Sequence, residues 1–346
     1  MNNNKMLSCK DLQYFYDERK CDGINNISFQ LVAGDICALV GPSGSGKSTF
    51  LKVLANILVP KKGYIDSPSV EFFDFNFMAQ DQFKNFGQLK VWEYLENNNS
   101  DLKTSIRDLV SNLDLTNEYE SRIEQLSSGQ FLRVLLIKAF LSEKKLILLD
   151  EPFLFLDPHV RLSVAKFLID LTKTQSKMLI WSTHFLEEAL CLSTKIMVMQ
   201  FGELQQISAP EAIYWEPANI FVANYFFPCN LLAATINPDK KSVSTKWGTF
   251  YIDHLKLESF SKLSQVFLMI RPQSLLPNMN NIYTKNLIKF KIKTRLFQGQ
   301  FYRYYLERDG REWIMDVAFH EQANNILNNE NEIELHLPES QIKIIQ

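Results

Sequence analysis

Asp35-Ile36-Cys37-Ala38-Leu39-Val40-Gly41-Pro42-Ser43-Gly44-Ser45-Gly46-Lys47-Ser48-Thr49 is the stretch on which the fold turns. Asp35 to Val40 is short, mostly apolar and followed by a glycine, as a buried parallel strand should be. Gly41 to Ser48 fits G-x-x-x-x-G-K-[ST], and Ser48 to Leu58 reads as a helix stopped near Pro60. A Gly-rich turn alone would be a bland feature; strand, loop and helix in this order make a phosphate cradle. Gly41, Gly44 and Gly46 let backbone N–H groups of the loop, Ser43 to Thr49, converge on the β- and γ-phosphates of a nucleotide. Lys47 adds a cation, and the Ser48 hydroxyl can ligate Mg²⁺.

A second apolar run, Leu146-Ile147-Leu148-Leu149-Asp150-Glu151, delivers two carboxylates at its C-terminal end, the edge of a parallel sheet where the cradle also lies. Alone it would read as a solvated acidic turn. Beside Lys47, Asp150 is placed to bind Mg²⁺, mostly through water, and Glu151 to polarise an attacking water. About twenty residues earlier, Leu126-Ser127-Ser128-Gly129-Gln130 precedes the helical run Phe131 to Leu141. It offers hydroxyls, backbone N–H groups and a helix N-terminus to an anion. One chain with its own cradle needs no second, so this one is expected to close over nucleotide held by another copy.

The bulk properties fit a globular chain of two domains, since 346 residues exceed what one hydrophobic core usually supports. A formal net charge of −2 with 22% charged residues provides no basic field for nucleic acid. Cys9, Cys21, Cys37, Cys191 and Cys229 are scattered without CxxC spacing, which points to reduced thiols in a cytosolic compartment rather than to a disulfide framework or a metal site. No apolar stretch reaches the ~18 residues needed to span a bilayer, and Met1-Asn2-Asn3-Asn4-Lys5 lacks the apolar core of a signal peptide. Work at a membrane would require other subunits to supply the spanning helices.

Strand-like and helix-like stretches alternate from about Leu7 to Phe227, including strands at Lys145 to Leu149 and Met178 to Ser182 and helices at Val160 to Thr172 and Leu186 to Ser193. That grammar is an α/β layer with a mainly parallel sheet. Residues 82–142 are helical without buried strands and read as an inserted subdomain. After Phe227 the pattern turns to strands. Leu287 to Phe297 alternates Ile288, Phe290, Ile292, Thr294 and Leu296 against Lys289, Lys291, Lys293 and Arg295. Tyr302 to Glu307 and Glu312 to Val317 flank the hairpin dipeptide Asp309-Gly310. The expected division is therefore 1–228 for the α/β domain and 229–346 for an all-β unit of small-barrel size.

Taken in order, these motifs resemble those of the ATP-binding subunits of ABC transporters, over roughly residues 7 to 227. The resemblance implies a P-loop NTPase core with an inserted helical subdomain, binding ATP and Mg²⁺. It also assigns residues that spacing alone does not. Gln80, in Phe77-Met78-Ala79-Gln80-Asp81, matches the glutamine that senses Mg²⁺ and the γ-phosphate and couples to the membrane subunits. Asp157, in Leu154-Phe155-Leu156-Asp157, matches the loop that reaches across the dimer. His184, in Trp181-Ser182-Thr183-His184, matches the switch histidine near the γ-phosphate. Tyr16, with Phe15 as competitor, is the aromatic expected to stack on adenine, although Tyr14-Phe15-Tyr16 also fits a core-packing strand.

Residues 187–190, 202–206, 209–214 and 217–223 narrow the resemblance to import-type subunits serving ferric iron, polyamines, sulfate, molybdate or sugars. In that group an OB-like transport-associated domain follows, and Met269-Ile270-Arg271-Pro272-Gln273 looks like its recurring Arg-Pro-Glu segment. The implied partners are membrane permease subunits, a second copy of the chain and an extracytoplasmic solute-binding protein, with the chain at the cytoplasmic face of the membrane and no nucleic acid. Overall resemblance leans to ferric iron, then polyamine, then sugars. The alternative from another class is a non-transport ABC ATPase whose β barrel binds nucleic acid through the Lys289 to Arg295 row. A restraining, regulatory role for the β unit is compatible with the transport reading. The chain departs from the family pattern in several places: the stretch between Gly63 and Gln80 is shorter than usual, and Phe131-Leu132-Arg133-Val134 keeps Arg133 but loses the usual polar residues. Ser128 stands where the signature has its first Gly, at a cost of ~1–2 kcal/mol if that residue must be left-handed, and Phe185 stands where an acid commonly follows the histidine.

Overall fold

The computed structural model describes residues 6–17, 22–74, 86–96, 103–154, 156–238, 241–253, 265–278, 281–318 and 331–345. They form two compact units, one reaching to Ile213 and the other starting at Tyr214.

The first unit opens with β1 (Met6–Asp17), β2 (Asp22–Val32), β3 (Ile36–Val40), α1 (Lys47–Leu54), β4 (Lys62–Asp66) and β5 (Val70–Asp74). Three helices follow, α2 (Val91–Glu96), α3 (Lys103–Asn112) and α4 (Ser128–Leu141). The α/β alternation then resumes with β6 (Leu146–Asp150), α5 (Pro158–Thr174), β7 (Met178–Ser182), α6 (Leu186–Leu192), β8 (Lys195–Gln200) and β9 (Glu203–Ser208), and α7 (Pro210–Trp215) runs across the division. One six-stranded sheet has the order β5-β6-β7-β3-β8-β9. Its first five strands pair in parallel, and β9 returns antiparallel to β8. Every residue of β3, β6 and β7 is buried, the signature of strands covered on both faces.

The alternating pattern did not announce a second sheet, of order β2-β1-β4, which is antiparallel throughout. Leu7, Leu12, Ile24 and Leu31 from it share a core with Phe50 and Leu51 of α1 and with Leu146, Leu148 and Ile180 of the parallel sheet. Helix α1 stops at Leu54, short of the expected Leu58. Ala55 caps it, and Asn56 takes a left-handed φ of 60°, a conformation that asparagine tolerates better than most side chains and that ends the helical run.

Helix α4 is buried nearly all round, from Phe131 to Leu141, and so is held by packing rather than by an amphipathic face. Its last turn exposes carbonyls that the helix cannot satisfy itself. Lys177, buried in the connection before β7, donates to the carbonyls of Phe140 at 2.9 Å and Ser142 at 2.5 Å. A cation at a helix C-terminus also complements the macrodipole. Burial, with Lys145 nearby, lowers the Lys177 ammonium to about 8.

The second unit carries α8 (Ile220–Phe226) and then strands: β10 (Asn230–Ile236), β11 (Ser242–Thr245), β12 (Gly248–Tyr251), β13 (Gln265–Ile270), β14 (Leu276–Pro277), β15 (Leu287–Phe297), β16 (Phe301–Arg308), β17 (Arg311–Ala318), β18 (Glu332–His336) and β19 (Lys343–Ile345). They make two five-stranded antiparallel sheets, β12-β11-β10-β13-β19 and β14-β18-β15-β16-β17. Both line one core, in which Leu232, Phe250 and Leu268 meet Phe290, Tyr304 and Trp313. The Asp309-Gly310 turn is as expected, with φ of 49° and 71° joining β16 to β17.

The alternation in β15 holds only for its first half. Ile288 and Phe290 are buried and Lys289 and Lys291 exposed, but a register shift lies between Ile292 and Thr294, and Thr294 and Leu296 are exposed. A bulge breaks the period of two, and pairing with β18 has already ended at Lys291. Lys289 and Lys293 lie 3.9 Å from Glu334 and Glu307, so the basic row is matched by acids on neighbouring strands.

Arg271 organises the start of this unit. Although buried, it donates to the carbonyls of Tyr214 (2.6 Å), Ala223 (2.9 Å) and Phe227 (2.9 Å), and its guanidinium lies over the Tyr214 ring. Residues 214–227 are thereby tied to the end of β13.

Replacing Lys177 by Met strands the Phe140 and Ser142 carbonyls and is expected to cost about 1–3 kcal/mol in urea unfolding at pH 7. The folded-state value of about 8 lies below the ordinary 10.5, so between these pH values the unfolded chain binds the extra proton. The Lys177 contribution to stability therefore rises from pH 8 to 10.5, and the gap between wild type and Lys177→Met should widen over that interval.

Candidate functional site

Parallel strands end on one edge, and the candidate residues gather where β3, β6 and β7 end. Behind β3 the chain enters the loop Gly41 to Gly46 and then α1. Gly41 cannot carry a side chain, because a Cβ there would meet the Met199 carbonyl oxygen at 2.3 Å and Ser45 Oγ at 2.5 Å. Gly46, the residue before α1, has a φ of 97°, outside the range of ordinary side chains. Its would-be Cβ also points at the Gly23 carbonyl at 3.0 Å, so the loop is packed closely from behind. Ser43, Gly44 and Ser48 are exposed and Thr49 half-buried, presenting the front of the loop and the first turn of α1 outward.

Lys47 is buried and donates to the carbonyls of Gly41 at 2.7 Å and Pro42 at 3.0 Å. Burial lowers its affinity for the proton, while the charges of Glu151 and Asp150 act in the opposite sense. The ammonium therefore lies within electrostatic reach of both carboxylates, as the two sequence motifs require.

Asp150 ends β6 and is buried; Glu151 follows it in a left-handed conformation, φ 55°. Such a backbone is uncommon for a glutamate and persists only where neighbours over-determine it. Ser182, the buried last residue of the adjacent β7, is one such neighbour. Its Oγ accepts from the Glu151 N–H at 2.8 Å and donates to Asp150 Oδ1 at 2.5 Å. Two residues on, His184 Nε2 lies 2.6 Å from Glu151 Oε1. In the sequence Ser182 is only a hydroxyl on an otherwise apolar strand, and it gains meaning from the β6–β7 pairing.

The oxygen chemistry at this edge suits a hard divalent cation. Ser48 Oγ and the Asp150 carboxylate are ligands of the kind Mg²⁺ takes together with phosphate oxygens and water. No cluster of three or more His, Cys, Asp or Glu suited to a metal occurs among the described residues.

At the second motif, Ser127 is the N-cap of α4 and forms a reciprocal capping box. Its Oγ accepts from the Gln130 N–H at 3.2 Å, and Gln130 Oε1 accepts from the Ser127 N–H at 2.8 Å. Gln130 Nε2 also donates to Glu118 Oε1 at 2.7 Å. Ser128 and Gly129 are the first helical residues, and Ser128 is not left-handed. The strain considered for Ser128 is thus absent, because the residue lies inside the helix where a serine is accommodated without penalty from φ. Ser127 and Ser128 are exposed.

Asp157 is the exposed N-cap of α5 and makes no side-chain cap. Tyr16 lies on β1, 54% exposed, with its ring edge-on to Tyr14 at 5.1 Å, whereas Leu12 on the same strand is in the core. Gln80 falls outside the described residues.

Comparison with known proteins agrees with this geometry. Residues 24–154 match the sequence profile of a family described as ABC transporter. The chain is 30% identical over 327 residues to the spermidine/putrescine import ATP-binding protein PotA of Borreliella afzelii (strain PKo), covering 90% of this chain and 92% of that one. It is 29% identical over 340 residues to the Fe(3+) ions import ATP-binding protein FbpC 2 of Haemophilus influenzae, covering 92% of each. Among solved structures, an ATP-binding cassette of an ABC transporter, MJ1267 in its ADP conformation, superposes with a TM-score of 0.54 at 16% identity over 64% of this chain and 98% of that one, a likeness of fold.

Substituting Ser182 by Ala removes the partner of the Glu151 amide and of one Asp150 oxygen. Urea unfolding should show a loss of about 1–3 kcal/mol. Ser182→Thr, which restores the hydroxyl, should recover most of it; equal stability of Ala and Thr variants would deny the bridge its importance.

Proposed function

Because the chain belongs to the family of ABC transporter ATP-binding subunits, we propose that it hydrolyses ATP to power solute import through membrane permease subunits, at the cytoplasmic face of the membrane. The observation that carries this reading is the convergence of Lys47, Asp150, Ser182, Glu151 and His184 at one sheet edge, with Glu151 and His184 2.6 Å apart. No helix among the described residues is long and apolar enough to cross a membrane.

The reading gives each residue a task. The N–H groups of Gly41 to Thr49, with Ser43, Gly44 and Gly46 in the turn, cradle the phosphates. Lys47 neutralises the β- and γ-phosphates, exchanging loop carbonyls for phosphate oxygens. Ser48, Asp150 and Gln80 would hold Mg²⁺, which when bound neutralises charge on the phosphate oxygens. Glu151 orients and deprotonates the attacking water. His184, fixed by Glu151, faces the γ-phosphate. Tyr16 stacks on adenine, its exposure leaving the ring face accessible. Two copies close over two ATP molecules, with Ser127, Ser128, Gly129, Gln130 and Asp157 of each contributing to nucleotide held by the other. The capping box fixes Ser127 and Gln130 and takes up their amides, so the anion site at the N-terminus of α4 falls to the amides of Ser128 and Gly129. Hydrolysis removes the γ-phosphate contacts and the pair reopens, which is the step a permease can follow.

Ferric iron is the cargo we favour, supplied by an extracytoplasmic solute-binding protein. The iron-import relative supports it, with 92% of each chain covered. Polyamine is the second reading, favoured by the 30% identical spermidine/putrescine relative. The nucleic-acid alternative loses support from the acids beside Lys289 and Lys293.

Glu151→Gln should reduce ATP turnover by about 10²-fold or more while leaving ATP binding intact. Turnover at the wild-type rate would remove Glu151 from the role of base. For the cargo, the chain reconstituted with its permease and binding protein in liposomes should take up radiolabelled ferric iron on addition of ATP. Uptake of spermidine without iron would transfer the assignment to the second reading.

A further inference from the structure

Phe185 stands where the family resemblance leads one to expect an acid, and its surroundings give that substitution a purpose. The side chain that meets it comes from the first turn of α5. The guanidinium of Arg161 lies 3.8 Å from the centre of the Phe185 ring. Arg161 Nη1 is 3.0 Å from Glu188 Oε1 on α6, and Nη2 donates to the Leu156 carbonyl at 2.9 Å. The Arg161 backbone N–H donates to the Asp157 carbonyl at 2.8 Å. The pair is well enclosed, with side-chain exposures of 12% for Arg161 and 15% for Glu188.

These contacts join two segments that the proposed function uses separately. Leu156 immediately precedes Asp157, the residue assigned to the other copy's nucleotide, and Phe185 immediately follows His184, assigned to this copy's own γ-phosphate. A cation in the first turn of a helix is opposed by the macrodipole, so its presence at this end of α5 calls for compensation. It receives it from one carboxylate, one carbonyl and one ring face. Each contact uses a different feature of the guanidinium: two separate N–H directions and the planar face. An acid at position 185 would add a third carboxylate beside Glu187 and Glu188; the phenyl ring offers a flat face and no further charge. Phe185 is itself held, since its N–H donates to Thr183 Oγ1 at 3.0 Å and its carbonyl accepts from Ala189 N–H at 3.1 Å.

We propose that Arg161 is a positioning residue that locks the Leu156–Asp157 segment to the His184–Phe185 segment, so that movement at one nucleotide site is transmitted toward the other. The inference rests on the ATPase reading above, but the clamp can be examined apart from turnover. Arg161→Lys keeps a charge for Glu188 and loses the fork and the flat face, while Phe185→Leu keeps apolar volume and loses the cation–π face.

The test uses the full chain. ATP turnover is measured across ATP concentrations for wild type, Arg161→Lys, Phe185→Leu and the double variant, with thermal unfolding and amide hydrogen exchange at Leu156 and Asp157 recorded for each. Expected are folded variants with kcat reduced by up to about 10²-fold, the scale of an ångström misplacement at a reacting centre. KM for ATP should change by less than about twofold. Exchange at Leu156 and Asp157 should be faster in both single variants, and the double variant no worse than the poorer single one, as for two parts of one device. Wild-type kcat and wild-type exchange in Phe185→Leu would overturn the proposal even if Arg161→Lys failed to fold. Loss of kcat matched by an equal loss of ATP affinity would also overturn it, since that is general damage to the site. A wild-type chain that does not hydrolyse ATP would instead sink the ATPase reading, and hydrogen exchange would still decide whether the clamp exists.

Discussion

Parallel pairing of β6, β7 and β3 is the constraint on which the rest of the first unit depends. In a parallel sheet the C-terminal ends of all strands lie on one edge, so three loops far apart in sequence are brought together by backbone hydrogen bonding alone. The connection after β3 leads to Lys47 at the start of α1, Asp150 ends β6 with Glu151 directly after it, and Ser182 ends β7 with His184 two residues on. The strands are buried throughout, which makes their register resistant to slippage: a shift of one residue would move Asp150 or Ser182 out of step with its partner.

That edge is also where the chain departs from relaxed geometry. Glu151 has a positive φ, and Lys47 and Asp150 are charged groups removed from solvent. Each is offset by a specific neighbour rather than by general burial. Ser182 bridges Asp150 and the Glu151 amide, the loop carbonyls receive Lys47, and the carboxylates favour its charge. Strain and desolvation held by named contacts make a preorganised site, in which dipoles are oriented before the reaction needs them.

In the second unit the corresponding device is Arg271. It bonds to the carbonyls of Tyr214 in α7, Ala223 in α8 and Phe227 just after α8, and its guanidinium rests on Tyr214. Burial disfavours its charge, but the polar fork satisfies backbone groups that a helix end leaves open. The two sheets then share a mainly aliphatic core that encloses a group of aromatic rings, with Trp247 edge-on to Trp313 at 5.2 Å.

Local features are legible in the order of residues alone. The strand, loop and helix around Gly41, the acidic end of β6, the buried strands at residues 146–150 and 178–182, and the Asp309-Gly310 hairpin all rest on patterns within a dozen residues. Hydrophobic period and turn chemistry act at that range. Whatever depends on pairing across the chain emerges with the folded structure. It added the antiparallel β2-β1-β4 sheet, ended α1 early at Asn56, and introduced the bulge that releases the end of β15. It showed Ser128 to be an ordinary helical residue, and it gave Ser182, Phe185 and Arg271 partners that lie 31, 24 and 57 residues away. The physical reason is that a hydroxyl, a ring or a guanidinium acquires its role from the donor or acceptor facing it, and sequence periodicity carries no information about which distant segment that will be.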